Sequence, residues 1–248
     1  MKLKSRFYRL IERFLSRFTD KIVCISEAEK KSAVNNNIGN EDKLSLIPNG
    51  IDVQAVINAK PKSRSELGIR DDAFVVGMIG RISKQKAPDV FIKAAKLVNE
   101  QVPNSAFIIV GDGELRPEIE KYASENNLQL IITGWTDEPY SYLKVFDVAV
   151  LPSRWEGFGL AVVEYMAAEK NVVATRIDAL PTIIDDKVDG LLCDVDSPKD
   201  LCEKILWLRN HPDIALQMRA NALRKVYEKY DIQRVAQQHL EMFEQLKK

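Results

Sequence analysis

Two carboxylates eight residues apart, set around a glycine-rich turn, are the side chains best placed to act on a ligand. They are Glu156 and Glu164, in the run Pro152-Ser153-Arg154-Trp155-Glu156-Gly157-Phe158-Gly159-Leu160-Ala161-Val162-Val163-Glu164. An apolar strand leads into this turn and a helix leaves it. Backbone N–H groups at the start of a helix lack partners within it and sit at its positive dipole end, so they hold anions. Glycine lets a ligand come close to the backbone. Glu156 falls in the loop and Glu164 on the second turn of the helix, so both can reach one bound molecule. Carboxylate acceptors beside an anion cradle suit a phosphorylated, hydroxyl-rich ligand, and a nucleotide-sugar fits that description.

A second loop supplies cations. Gly77-Met78-Ile79-Gly80-Arg81-Ile82-Ser83-Lys84-Gln85-Lys86 leaves an apolar strand and matches neither the dinucleotide pattern GxGxxG nor a P-loop. It brings Arg81 and Lys86 to the strand's carboxyl end, where they can clamp a diphosphate through charge-assisted bonds worth ~1.5–3 kcal/mol each. A solvated basic loop would explain the two cations in isolation; the Glu156 turn favours the diphosphate. Val110-Gly111-Asp112-Gly113 ends another strand and serves either a turn with a helix cap or a ligand contact. At Thr133-Gly134-Trp135 the backbone of Gly134 can read a base edge and Trp135 can lie on the base, or Trp135 is simply packed. Asp194-Val195-Asp196 reads as turn chemistry. His211 and His239 lie in C-terminal helical segments, far from the cysteines, so neither a Ser/His/Asp set nor a zinc site is expected.

The elements that must position these loops follow from hydrophobic period. Apolar runs at 74–79, 106–110, 130–133, 148–151, 172–175 and 190–193 alternate with helical patterns at 88–101, 114–126, 138–146 and 159–169. That predicts an α/β fold, a Rossmann-like doubly wound parallel sheet with both faces covered and right-handed crossovers. Ligands of such sheets bind beyond the carboxyl ends of the strands, where these loops fall. Three helices follow at 197–210, 212–230 and 232–247. Ahead of the alternation, residues 3–18 predict an amphipathic helix and 22–25 and 44–47 short strands, with Ser26 and Glu29 forming a capping box. Residues 52–70 read as polar and irregular, a domain boundary. The expected division is a partial second α/β unit at 1–60, a ligand-binding domain at 61–230 and a terminal helix at 231–248.

The 248 residues can bury one large core, or one core and a smaller unit. Lys and Arg number 36 and Asp and Glu 36, so no overall field points to nucleic acid. The charge is uneven: in the first twenty residues Lys2, Lys4, Arg6, Arg9, Arg13 and Arg17 face only Glu12 and Asp20. That basic helix can lie on an anionic membrane surface, apolar face down, or pack on a further part of a domain. Cys24, Cys193 and Cys202 read as buried free thiols of a reducing cytosol. No apolar run approaches the ~20 residues of a membrane span. Charges interrupt the N-terminus where a signal peptide needs an apolar core.

Several stretches, in order and spacing, resemble the retaining glycosyltransferases of the GT-B fold, the "glycosyl transferases group 1" set (glycosyltransferase family 4). They are Val23-Cys24-Ile25-Ser26-Glu27, Ile47-Pro48-Asn49-Gly50-Ile51-Asp52, Gly80-Arg81 through Lys86, Val110-Gly111-Asp112-Gly113, Leu151-Pro152-Ser153 and the Glu156-to-Glu164 element. The resemblance implies transfer from a nucleotide-sugar donor to a glycan or lipid-linked acceptor. It further implies no metal or other cofactor, a place in cell-surface glycan synthesis, and a cytoplasmic location at the inner face of the membrane. It implies a catalytic set in which Arg81 and Lys86 bind the donor diphosphate and Glu156 holds hydroxyls of the donor sugar. Glu164 would hold the ribose hydroxyls, and the amides of Gly157, Phe158 and Gly159 would line the sugar and phosphate. Gly80, Gly111, Gly134, Trp135 and Ser153 complete the donor-binding set. Residues 61–230 become the donor domain and the last helix a crossover. Residues 1 to about 52 correspond to the closing elements of the acceptor-side domain, whose glycine-rich loop and histidine have no counterpart here. A shortened gene product, or a partner chain supplying the acceptor side, is therefore expected. Asp178-Ala179 and Thr182 stand where the family has Gly-Gly and Glu, and Glu169 and Asn171 where it usually has Gly and Pro. Asp178 near a sugar phosphate would add like charge and alter donor affinity or choice.

Overall fold

The structure is a computed structural model that describes residues 2–247, with side chains described from residue 7 onward. The expectations resting on the side chains of Lys2, Lys4 and Arg6 lie outside the described residues. In chain order the elements are α1 (Lys2–Leu15), β1 (Ile22–Cys24), α2 (Glu27–Asn35), β2 (Leu44–Leu46) and α3 (Val53–Asn58). Then come β3 (Phe74–Ile79), α4 (Pro88–Gln101), β4 (Ser105–Val110), α5 (Arg116–Glu125), β5 (Leu130–Ile132), α6 (Pro139–Leu143), β6 (Val148–Leu151) and α7 (Leu160–Ala167). The chain ends with β7 (Asn171–Thr175), α8 (Leu180–Ile183), β8 (Leu191–Cys193), α9 (Pro198–Asn210), α10 (Pro212–Lys229) and α11 (Ile232–Leu246).

The six predicted strands form one parallel sheet in the order β5-β4-β3-β6-β7-β8. All of β4 and β6 is buried, as strands covered on both faces must be. Alternate residues feed two cores. Val75, Ala149, Leu151 and Val172 meet α3, α7 and the second half of α10 through Val56, Val163, Met166 and Val226. Val76, Met78, Phe107 and Val150 meet α4, α5 and α9 through Phe91, Ile119 and Ile205. Each such apolar side chain contributes ~1.5–3 kcal/mol on burial. Strand order reverses between β3 and β6, so a crevice opens beyond their carboxyl ends.

The smaller unit is a two-stranded parallel sheet, β1 on β2. Ser26 accepts from the amide of Glu29 at 3.1 Å, and the Glu29 carboxylate accepts from the amide of Ile25 at 2.7 Å, so the box closes one residue ahead of the cap. Two strands alone are marginal in water. Here α11 crosses back and packs Val235 and Met242 against Ile47 and Val23. The main chain of Ile51 bonds both Tyr230 and Ile232 at 2.9 Å, tying the unit to the turn before α11.

Two expectations need correction. The stretch at 52–70, read as irregular, contains α3: Asp52 caps it by accepting from the amide of Ala55 at 2.9 Å, and Val53 and Val56 enter the core. Only six residues long, α3 shows too few turns for its period to stand out among polar neighbours. The predicted helix at 3–18 ends at Leu15 and continues as a 3₁₀ turn over Ser16–Phe18. The three cysteines are buried free thiols, as expected. Among the described residues no helix is long and apolar enough to cross a membrane.

One buried charge cluster locks the sheet's far edge to α10. The Lys225 ammonium bonds the Asp189 carboxylate, Asp185 at 2.7 Å and the carbonyl of Ile183 at 2.9 Å. Burial pushes the Asp189 carboxyl up, and the Lys225 bond opposes it. Removing the lysine strands a buried carboxylate. Lys225→Met should lower the unfolding free energy by roughly 3–5 kcal/mol in urea melts; a loss within experimental scatter would show that the cluster is not structural.

Candidate active site

The β3–α4 loop (residues 80–87) and the β6–α7 loop (152–159) leave the two strands that flank the reversal. They are stitched together by main chain. The Arg154 amide donates to the carbonyl of Gln85 at 2.8 Å, and the Gln85 side chain donates to the carbonyl of Trp155 at 3.1 Å. Across this seam the Lys86 ammonium donates to the Glu156 carboxylate. The Lys86 and Glu156 side chains are 19% and 6% exposed, so the pair is largely withdrawn from water. Ser153, fully buried, donates its hydroxyl to the same Glu156 oxygen at 2.7 Å. Thr175 of β7 in turn donates to the Ser153 carbonyl at 2.7 Å.

Glu164 projects from α7 and accepts from the Tyr140 hydroxyl at 2.9 Å. Burial holds its carboxyl above the ordinary value, while the Tyr140 bond and the nearby Lys86 charge pull it down. Lys86 therefore acts electrostatically on both carboxylates. Burial, the Glu164 charge and the hydrogen bond to it all raise the Tyr140 hydroxyl, which stays protonated as a donor. Just beyond, Tyr165 accepts from the amide of Ile79 at 2.7 Å and pins the end of β3 to α7.

Gly159 precedes α7 at φ +105, where a side chain would be strained and its Cβ would lie 2.5 Å from Leu180. As a glycine cap it sets no side chain against the first-turn amides. Gly157 is exposed, while Phe158 is buried edge-to-face against Tyr230 with ring centres 5.9 Å apart. A Cβ at Gly80 would make only ordinary contact with the Lys86 stem, at 3.5 Å. Gly111 and Gly134 pair in an isolated antiparallel bridge at the ends of β4 and β5. Arg81 is exposed in the β3–α4 loop and has no side-chain hydrogen bond or ion pair to either carboxylate. The loop thus brings Lys86, and not Arg81, into contact with Glu156 and leaves Glu164 within the lysine's field. Trp135 is 78% exposed, so the packed alternative for it does not hold.

Several participants were not singled out from the sequence as site residues. Arg154 is the latch of both loops: it grips Asp89 with two bonds of 2.7 and 3.0 Å, Asp196 at 2.6 Å and the carbonyl of Lys84 at 3.0 Å. Burial alone would raise the Asp89 carboxyl; the Arg154 bonds and charge carry it below its ordinary value. Asp196 thereby receives a role within the expected turn. Tyr140 orients Glu164. Ser83 has a buried hydroxyl with no hydrogen-bond partner among the described residues. Ala87, next to Lys86, sits in the left-handed region at φ +50, as does Asp178 at φ +48. Such conformations cost of order 1–3 kcal/mol and gather at functional sites. Asp178 also takes the amide of Glu156 at 2.9 Å, so that amide is not offered to a ligand. Arg154 was the one signal available, a cation inside the glycine turn, but its partners lie 65 and 42 residues away. Among the described residues no cluster of three His, Cys, Asp or Glu side chains is placed to hold a metal ion.

An α/β fold with a lysine bonded to one carboxylate, and a second carboxylate within its field, lies at the switch point of the sheet. Residues 59–225 match the family model of Glycosyl transferases group 1, and residues 1–55 match that of Glycosyltransferase Family 4. The chain belongs to the Glycosyl transferases group 1 family. It is 33% identical over 201 residues to the Escherichia coli UDP-Gal:alpha-D-GlcNAc-diphosphoundecaprenol alpha-1,3-galactosyltransferase, covering 77% of this chain and 52% of that one. The chain thus spans about half the length of that relative, which is 52% covered. Among solved structures, Anabaena Alr3699/HepE in complex with UDP and glucose superposes with a TM-score of 0.82 at 22% identity, covering 92% of this chain and 64% of that one. A Staphylococcus aureus TarM variant in complex with Fondaparinux, alpha-GlcNAc-glycerol and UDP superposes at 0.77 with 26% identity, covering 92% and 44%. The first likeness establishes the GT-B fold of the shared part.

The raised Glu164 carboxyl has a consequence for stability. A carboxyl whose folded pKa exceeds its unfolded value contributes stability that is full below the unfolded value and is lost as pH rises through the folded one. Glu164→Gln cannot ionise and still accepts from Tyr140. Its melting temperature should equal or exceed that of the parent at neutral pH, and the difference should vanish below about pH 4. A Gln variant that melts well below the parent at pH 7 would contradict this.

Proposed function

We propose that the chain binds a nucleotide-sugar and transfers its sugar to a hydroxyl of a glycan or lipid-linked acceptor, with retention at the anomeric carbon, in cell-surface glycan synthesis. The observation that carries this reading is the Lys86–Glu156 pair at the switch point, with Glu164 inside its field. In this reading residues 61–230 form the donor domain, residues 1–60 belong to the acceptor side and 231–248 cross between them. Lys86 and Arg81 neutralise the diphosphate as charge develops on it, and the α7 amides add their dipole. Glu156 accepts from sugar hydroxyls and Glu164 from the ribose, with Gly80, Gly111, Gly134, Trp135, Ser153, Gly157, Phe158 and Gly159 lining the donor. Glu156 is not the nucleophile of a double displacement. In this reading it holds the sugar's hydroxyls, anchored through the one oxygen that Ser153 and Lys86 both bond. The leaving phosphate instead takes the acceptor's proton on the same face. The complexes of structural relatives with UDP and the α-linked product in the E. coli relative's name support this reading.

Arg81→Ala and Lys86→Ala should each slow transfer from UDP- or GDP-sugars by roughly 100- to 1,000-fold. Arg81 is exposed, so its variant should melt with the parent; for Lys86, Lys86→Ala with Glu156→Gln avoids a stranded carboxylate. Unchanged turnover in both would sink the reading. A second reading, a donor-binding module that needs a partner chain, is favoured by the two-stranded sheet of the smaller unit. Transfer by the isolated chain would eliminate it.

The chain sits on the inner face of the membrane through α1. Exposed cations flank its exposed apolar residues: Arg9, Arg13 and Arg17 are exposed, Arg9 donates to Asn36 at 2.9 Å, and Leu10, Arg13, Phe14, Arg17 and Lys43 line a cavity of about 520 Å³. Its apolar side, with Phe7, Leu10, Phe14 and Phe18, faces solvent. A helix held this way lies between the protein and a bilayer, apolar face down. Co-sedimentation with phosphatidylglycerol vesicles should fall in an Arg9→Gln, Arg13→Gln, Arg17→Gln variant by about 1 kcal/mol per charge. Binding unchanged in the variant, or equal on neutral vesicles, would refute membrane attachment.

A further inference from the structure

At the end of the candidate site where Glu156 sits, negative charge outnumbers positive. The nearly buried Glu156 carboxylate has one cation, Lys86, bonded to it. Asp178 brings a second carboxylate to the same residue, accepting from its amide at 2.9 Å. Its backbone is left-handed at φ +48, a conformation that glycine adopts freely and aspartate occasionally, through its short polar side chain. Of the nearby guanidiniums, exposed Arg81 is bonded to neither carboxylate and is assigned above to the diphosphate. Arg154 is bonded to Asp89 and Asp196, and Arg176 to Asp186 at 2.6 Å. One oxygen of Asp178 bonds the Glu156 amide, and the side chain belongs to an exposed residue. A carboxylate so placed accepts from sugar hydroxyls and repels a second carboxylate.

We propose that Asp178 is a specificity-determining residue that restricts the donor to neutral hexoses and acetamido-hexoses and rejects uronic acid sugars. The proposal rests on the donor-binding reading above, with the sugar at the Glu156 end. Glu156 and Asp178 together exceed the charge of Lys86, the cation bonded at this end, and with Arg81 given to the diphosphate a sugar carboxylate would meet uncompensated negative charge. A neutral sugar brings only hydroxyls and amides, which suit two carboxylate acceptors.

The test is calorimetric titration of the full chain with UDP, UDP-glucose and UDP-glucuronate, and with GDP, GDP-mannose and GDP-mannuronate, on the parent and on Asp178→Asn. Asparagine tolerates the left-handed conformation and still accepts from the Glu156 amide, so the loop is kept. The uronate donor should bind the parent at least about tenfold more weakly than its neutral counterpart, a gap of about 1.4 kcal/mol. In Asp178→Asn that gap should shrink to about threefold or less, while the bare nucleotide binds both proteins alike. The parental gap should also narrow as salt is raised, which a purely structural role for Asp178 would not produce. Equal affinity of the parent for both sugars, or a gap that survives in Asp178→Asn, overturns the proposal while leaving donor binding intact. Failure of every nucleotide to bind overturns the donor reading and this inference together, and is distinguished by the bare nucleotide titrations.

Discussion

The ion pair between Lys86 and Glu156 is the interaction on which the site depends. It joins two loops that leave neighbouring strands in the sheet but lie 70 residues apart in the chain. Withdrawing two charges from water is unfavourable unless geometry and further hydrogen bonds compensate. Ser153 and the Asp178–Glu156 amide bond provide that compensation locally. Arg154 provides it at longer range, because its fork holds the first turn of α4, the loop before it and the segment after β8 in one arrangement. An ammonium poised against a carboxylate is also poised for a ligand that carries both phosphate and hydroxyls, since such a ligand can replace each partner for the other.

The sheet explains why these loops meet at all. Parallel strands send every strand-to-helix loop to the same edge, and the reversal between β3 and β6 separates the helices that follow them onto opposite faces. The crevice between those helices is where Lys86, Glu156 and the α7 terminus converge. The same sheet anchors the smaller unit indirectly. With only two strands it leans on α11, and α11 is fixed by the main-chain bonds of Ile51 on either side of Asp231. The larger sheet and the β1–β2 side are thus joined by the turn at 230–232, by α3 and by Ile25, which packs on the main core.

Several features of the site work against stability. Ala87 and Asp178 occupy left-handed backbone, Glu164 is a carboxylate held in a buried place, and the Ser83 hydroxyl is unpaired among the described residues. Local rules are broken here while the surrounding strands obey them, which is the pattern expected where function overrides folding preference. The exposed apolar side of α1 is a different departure, on the surface, where Phe7, Leu10, Phe14 and Phe18 lie open.

The amino-acid sequence by itself determined the α/β class, the six strands and most helices to within a residue or two, and the loops that carry the chemistry. Those features are local: strand runs, helical period, caps and glycine turns are written in neighbouring residues. It also marked Lys86, Glu156 and Glu164, because their types and loop positions were unusual together. Only the tertiary structure decided which charges touch. Lys86 and not Arg81 meets Glu156, Tyr140 holds Glu164, Arg154 ties Asp89 to Asp196, and Asp178 reaches the Glu156 amide. Each of these pairs spans more than twenty residues of chain. Charge pairing at that separation is set by strand order and loop geometry, and neither has a signature in any single window of sequence.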